Sequence, residues 1–205
     1  MLWCKKNLWI AGAGGLAKEV YNLFSGEYNF KGYLDENRNN CDFIKKVYCI
    51  DDYLLRNYQT HHNIIVCVGE PVLKQRLSQR LYPSSLSLNL IHKTSIVGNT
   101  VFSGGCIVFP NVIFTANNVV GRGCMIYQNC SISHDTSVGD YCNITPGVDI
   151  AGRCKIGNRV YLGIGCVISN DVNICDDVIV GAGAVVIDNI TEPGTYVGIP
   201  ARKIK

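Results

Sequence analysis

The chain has 205 residues, 47% of them hydrophobic and 17% charged, with 21 glycines, 11 cysteines and a net charge of +3. That length and composition fit one or two globular domains and exclude a disordered chain, a fibrous repeat and a small disulfide-stapled miniprotein. An odd cysteine count cannot pair completely, no stretch of eighteen apolar residues offers a membrane span, and Met1 to Lys6 lack a signal-peptide pattern, so a cytoplasmic protein with reduced thiols is expected. Charge is uneven: residues 1–94 carry 12 Lys and Arg against 8 Asp and Glu, residues 95–190 carry 4 against 7, and no basic cluster interleaved with aromatics marks a nucleic-acid face.

The first predicted element is an apolar strand, Asn7 to Ala11, followed at once by Gly12-Ala13-Gly14-Gly15-Leu16-Ala17 and a helix from Lys18 to Phe24. This is a GxGxxA turn between a strand and a helix. A second strand, Phe30 to Leu34, leads to Asp35, 21 residues beyond Gly14, where an acidic side chain can reach a ribose hydroxyl. A third, Asn63 to Val68, ends at Gly69, and Val72 to Leu81 reads as a helix. Residues 1–88 therefore read as a small Rossmann-like β-α-β unit, with Leu86 to Ile91 leading onward.

Three readings of the glycine turn stand side by side. A dehydrogenase would need a second mononucleotide-binding half, and the rest of the chain supplies none. The glycines could serve tight strand-to-helix packing alone. The favoured reading is a cradle for a nucleotide-linked ligand, with glycine amides and a helix N-terminus near the anion.

From Ser95 the chain divides without a gap into sixteen six-residue units, from SIVGNT to VVIDNI. The second position is apolar in all sixteen, from Ile96 through Phe102 and Val108 to Val186, and the sixth is small or β-branched in fifteen, Asn118 being the amide. Glycine and asparagine recur at positions three to five. An α-helix cannot hold a strict period of six on one face. A coil of short strands joined by tight turns can, its Gly and Asn corners taking unusual backbone angles. Three units make an 18-residue turn, and five such turns stacked roughly 4.8 Å apart build a prism about 25 Å long. Residues 89–205 are thus an all-β parallel β-helix with a C-terminal tail, following the α/β unit. The register is unbroken over 96 residues, so a pocket must lie between subunits or against the other domain.

His61, His62 and His92 fall outside the repeat; His134 is the one histidine inside it. It takes the outward fourth position of SISHDT, directly before Asp135. An imidazole that titrates near neutrality can accept a proton at cellular pH, and a neighbouring carboxylate fixes its tautomer. One prism histidine cannot build a three-imidazole zinc site, so no metal is expected.

The order of motifs now carries a resemblance. GAGGLAKEV in the first unit, LIH before the prism, HD followed by VGDYCNITPGVDIAGRCKIG, then YLGIG, VGAGAVV and the ending VGIPARKIK resemble the hexapeptide-repeat sugar acetyltransferases, which include UDP-4-amino-sugar N-acetyltransferases and sialic acid O-acetyltransferases. The likeness covers nearly the whole chain. It implies a left-handed coil, where the usual crossover preference would favour the right hand, and a homotrimer with acetyl-CoA as co-substrate in a groove between subunits. It implies His134 as general base tuned by Asp135, with CoA contacts at Asn143, Gly152, Ile164 and Ala182. A UDP-, dTDP- or GDP-linked amino sugar would lie against Gly12, Gly14, Gly15, Leu16, Asp35, Glu36 and Gly69. The expected reaction is direct attack of a sugar amine, of the 4-amino-4,6-dideoxy type, on the thioester, as used in bacterial surface glycan synthesis. Two departures limit the transfer: the bacillosamine-pathway branch has histidines where this chain has Asn143 and Leu16. A sugar O-acetyltransferase and a non-catalytic scaffold remain as alternatives.

Six cysteines, Cys106, Cys124, Cys130, Cys142, Cys154 and Cys166, occupy sixth positions, spaced by multiples of the repeat. They read as small buried packing groups rather than redox, metal or acyl-transfer thiols.

Overall fold

Trp9, Ile10 and Ala11 sit between two parallel neighbours in the first sheet, and this central place is why the strand is apolar at these positions. The structure is a computed structural model that describes residues 5–36, 47–51, 53, 63–81 and 88–205. The chain folds as two compact units, Met1–Leu88 and Asn89–Lys205. No helix among the described residues is long and apolar enough to cross a membrane.

The first unit contains β1 (Asn7–Ala11), α1 (Gly15–Phe24), β2 (Asn29–Asp35), β3 (Val47–Cys49), β4 (Ile64–Val66) and α2 (Pro71–Leu81). The strands form one parallel sheet in the order β3-β2-β1-β4. Helix α1 buries Ala17, Val20 and Phe24, spaced i, i+3 and i+7 on one face. It starts at Gly15, so the second glycine pair lies at and inside its first turn rather than ahead of it. Strand β2 runs through Asp35, one residue beyond the predicted end. Strand β3 was not predicted; at three residues it carries too little alternation to register as a pattern.

The second unit is the parallel β-helix. Its strands form one eight-stranded and two five-stranded sheets, and pairs such as Met125↔Asn143, Ser131↔Asp149 and Ser137↔Lys155 fix the 18-residue step. Second-position residues from Val108 to Val186 are at most 4% exposed and form one continuous core. Each such aliphatic side chain contributes about 1.5–3 kcal/mol by leaving water. Every fifth position from Gly105 to Gly183 has positive φ, including Asp135 (58°), Tyr141 (60°) and Arg153 (60°). The corners thus use Asp, Arg and Tyr as well as the expected Gly and Asn. That backbone costs about 1–2 kcal/mol at a non-glycine residue; bonds to the coil before, such as Asp135 N–H to Ala116 O at 2.9 Å and Arg153 N–H to His134 O at 2.9 Å, offset it.

Both ends of the repeat depart from the sequence reading. Leu90–Ile91, taken as a lead-in, already pairs with Ile107 and Val108 as a strand of the prism; Leu86 and Ser87 lie outside the described residues. That first step is 17 residues, and Ile96 likewise bridges Ile113. The first unit is therefore one residue out of phase: Ile96 is 61% exposed, and Val97 packs against the core in its place. A one-residue slip reverses which side chains face inward. At the far end Gly194–Val197 extends the eight-stranded sheet beside Val178–Val180 and turns back as the antiparallel Arg202–Lys203.

The six sixth-position cysteines are at most 1% exposed. Five of the thiols donate to a carbonyl 15 residues on, from Cys106 to Gly121 O at 3.1 Å through Cys154 to Ser169 O at 3.1 Å. Burial pushes the Cys130 thiol up to about 11 and Cys166 up to about 12. These groups stay protonated, which removes them as nucleophiles at neutral pH.

Candidate active site

His134 and Asp135 stand on one outer corner of the prism. Positive φ at Asp135 turns its side chain back along the corner, so that His134 Nδ1 lies 2.8 Å from Asp135 Oδ2. Both side chains are about half exposed. Asn117, 18 residues earlier, donates Nδ2 to the other carboxylate oxygen at 3.1 Å. The His134 hydrogen bond first and the Asn117 bond second hold Asp135 below the usual carboxylate range. An ionised Asp135 facing Nδ1 keeps the proton there and leaves Nε2 as the lone-pair nitrogen.

Above the pair, Arg153 grips Asp171 through Nε and Nη2 at 2.7 and 2.8 Å. On the same next coil the imidazole meets Gly152, where a Cβ would stand 2.7 Å from Nε2. The structure thus places Gly152 against His134 itself.

The other residues implied for CoA lie elsewhere on the prism. Ile164 is 60% exposed and Ala182 follows it by 18 residues on one corner. Gly152 and Ile164 are two hexads apart, two thirds of a turn, so this is a different corner from that of His134. Asn143 is 1% exposed and hydrogen-bonded within the chain. Its side chain offers no open face to a ligand on this chain alone.

In the first unit, the turn after β1 and the start of α1 carry Gly12 to Leu16, the end of β2 carries Asp35 and Glu36, and Cys67 to Gly69 follow β4. All seven residues implied for the nucleotide sugar gather at the carboxyl ends of the strands, beside the β1/β4 boundary where the strand order reverses. Their duties differ. Gly12 has φ +98°, and a Cβ there would stand 2.6 Å from Cys67 O, so it is required by packing. Added Cβ atoms at Gly14, Gly15 and Gly69 would meet nothing within 4 Å, so packing does not require glycine at these three positions. The α1 N-terminus has no side-chain cap and no acidic residue in its first turn. By contrast Glu70 occupies the start of α2, accepting from Val72 N at 2.9 Å and Leu73 N at 2.5 Å. Glu36 accepts from Arg80 Nη1 at 2.9 Å, and Arg80 also pairs with Asp51.

Sequence reasoning missed Asn117 and Arg153. The signal was present: they stand 18 residues before and after Asp135. Among the described residues no cluster of three or more His, Cys, Asp or Glu could hold a metal ion. His61 and His62 lie outside the described residues, and His92 Nδ1 pairs locally with Thr94 Oγ1 at 2.9 Å.

A glycine-turn α/β unit thus precedes a hexapeptide prism with a His-Asp pair on its corner, and both parts have counterparts among known proteins. Residues 7–81 match the PglD N-terminal domain family, and residues 153–188 match the bacterial transferase hexapeptide family (six repeats). No curated protein sequence matches. Among solved structures, PerB from Caulobacter crescentus, in complex with CoA and GDP-perosamine, is 26% identical over 97% of both chains with a TM-score of 0.89. Variants of that perosamine N-acetyltransferase with one histidine replaced by asparagine or alanine align equally well, each with CoA and GDP-perosamine. The acetyltransferase domain of PglB from Neisseria gonorrhoeae, in complex with acetyl coenzyme A, is 25% identical over 98% of this chain and 100% of that one, with a TM-score of 0.88. By its fold, the order of its units and both partial family matches, this chain is similar along nearly its whole length to the hexapeptide-repeat sugar acetyltransferases, built as a Rossmann-like unit followed by a left-handed β-helix.

Proposed function

We propose that the chain is an acetyl-CoA-dependent N-acetyltransferase that acts on the amino group of a nucleotide-linked amino sugar. The observation that carries this reading is the 2.8 Å His134–Asp135 contact on an exposed corner, in a chain that aligns over 97% of its length with an enzyme solved with CoA and GDP-perosamine. The sugar amine attacks the thioester carbonyl carbon as His134 Nε2 takes the amine proton. Asp135 stabilises the imidazolium, and the C–S bond breaks to release CoA, whose thiolate recovers that proton. No covalent enzyme intermediate or metal is needed. The Gly152 N–H would face the developing oxyanion.

The glycine turn, Asp35 and Gly69 would hold the nucleotide and sugar, with Gly14 and Gly15 as the open approach and Glu36 tied to Arg80. The acetyl-CoA arm would run past Ile164 and Ala182. Because these lie on a different corner from His134, a groove that uses both needs a second copy of the prism, and a homotrimer supplies it. Supply of acetyl-CoA and reduced thiols fits a cytoplasmic location.

The test is CoA release from acetyl-CoA with a panel of UDP-, dTDP- and GDP-linked 4-amino-4,6-dideoxy sugars, beside sialic acids. Turnover with an amino sugar supports the reading, and turnover with sialic acid alone replaces it by O-acetylation. No turnover, together with no acetyl-CoA binding by calorimetry, leaves a scaffold. His134→Ala should lower kcat at least about a hundredfold, the lower end of a general base's contribution, with the oligomer intact.

A further inference from the structure

We propose that Asn117 is a positioning residue for the His134–Asp135 pair, acting through the Asp135 carboxylate; the inference rests on the general-base reading above. A carboxylate held by one hydrogen bond rotates freely about its terminal torsion, whose well is broad. Here its two oxygens are divided between two partners: Oδ2 faces His134 Nδ1 at 2.8 Å and Oδ1 accepts from Asn117 Nδ2 at 3.1 Å. Two anchors fix the plane of the group, and with it the line along which the imidazole is held.

Asn117 is itself oriented. Its backbone N–H donates to Asn99 Oδ1 at 2.7 Å, and its Oδ1 accepts from Asn99 Nδ2 at 2.7 Å. That assigns Nδ2 to the carboxylate side, since the reverse amide orientation would set oxygen against oxygen. The ladder Asn99–Asn117–Asp135 therefore climbs the corner in steps of 18 residues and ends on the reacting imidazole. The charged groups around Asp135 are His134 and, from the next coil, Arg153, whose guanidinium is engaged by Asp171 at 2.7 and 2.8 Å. A neutral amide orients Asp135 without cancelling the charge that the imidazolium must feel; a lysine or arginine at 117 would cancel it.

Two variants test this, and both tolerate the φ of 54° at position 117. Asn117→Gly removes the donor; Asn117→Asp keeps the shape but sets a second carboxylate against the first. For each, kcat, both KM values, the kcat–pH profile and thermal unfolding would be measured on the full chain, beside His134→Ala. We expect Asn117→Gly to lower kcat about tenfold, the scale of one hydrogen bond to a charged group, with KM for acetyl-CoA unchanged. Asn117→Asp should move the acid limb of the kcat profile to higher pH, because the added negative charge favours the protonated imidazole. A merely structural role would lower thermal stability and leave kcat at the pH optimum unchanged. Unchanged kcat at the optimum overturns the proposal, and if Asn117→Gly does not fold, the Asn117→Asp kcat at its own optimum decides. Wild-type turnover in His134→Ala would instead remove the general-base reading beneath it.

Discussion

The imidazole of His134 lies across Gly152, so close that a methyl group on that glycine would stand 2.7 Å from Nε2 and 2.8 Å from Cε1. The two residues are 18 apart, one coil above the other. Position 152 thus serves as the seat of the His134 ring, a duty separate from any contact of its backbone with CoA.

Gly152→Ala therefore reads out the geometry of the proposed base. The ring is half exposed and can swing aside, so the prism stands, but the 2.8 Å contact with Asp135 is lost. We expect kcat to fall by about tenfold to a hundredfold, the cost of displacing a reacting group by about an ångström, with an unfolding temperature near that of the parent. Wild-type kcat in this variant would show that the ring does not need its seat.

The phase slip at the start of the repeat separates two isoleucines that the sequence pattern treats alike. Ile132 is fully buried, and Ile132→Ala should cost about 2–5 kcal/mol. Ile96 is 61% exposed, and Ile96→Ala should change stability by less than about 0.5 kcal/mol. Denaturant unfolding of both measures the difference; equal losses would restore Ile96 to the core.

Legibility followed the length of each pattern. Fourteen second-position residues from Val108 onward sit where a period of six placed them, because a signal repeated every turn averages out local exceptions. At Ile96 the same regularity misled: an apolar Val97 follows, and either residue satisfies the pattern while only the 17-residue step decides between them. His134 and Asp135 were legible as adjacent letters. Asn117, Gly152 and Arg153 touch or flank them only through stacking of coils, and the sequence gives no sign that at Gly12 the carbonyl of Cys67 excludes a side chain.

Thiol accessibility provides a prediction that needs no substrate. Cys106, Cys124, Cys130, Cys142, Cys154 and Cys166 are buried, and burial raises Cys130 to about 11 and Cys166 to about 12. Titration with an aromatic disulfide at pH 8 should leave these six unmodified in the folded protein and label them after denaturation, as mass mapping would reveal. Rapid native labelling of any of them would contradict their place in the prism.

Acid sensitivity follows from the corner carboxylates. The Arg153 hydrogen bond holds Asp171 down at about 2, and Arg159 lowers Asp177 in the same way. A carboxyl lowered by folding favours the fold above its unfolded value of about 3.9, and that contribution is lost as pH falls through the folded value. It is complete at pH 5 and erodes between about 4 and 2. Arg153→Gln frees Asp171 and should raise the midpoint of acid unfolding followed by circular dichroism. The exposed setting keeps the effect small, and an unmoved midpoint would mean the pair contributes nothing.

The 18-residue step also sets the direction in which a perturbation travels. Side-chain bonds such as Asn99 to Asn117, Asn117 to Asp135 and Arg153 to Asp171 join equivalent positions of successive coils. The molecule is mechanically anisotropic, like a cord laid from three strings of contacts. A substitution on one string is felt several coils away at residues remote in the chain, while a sequence neighbour six residues off, on the next string, is largely insulated from it.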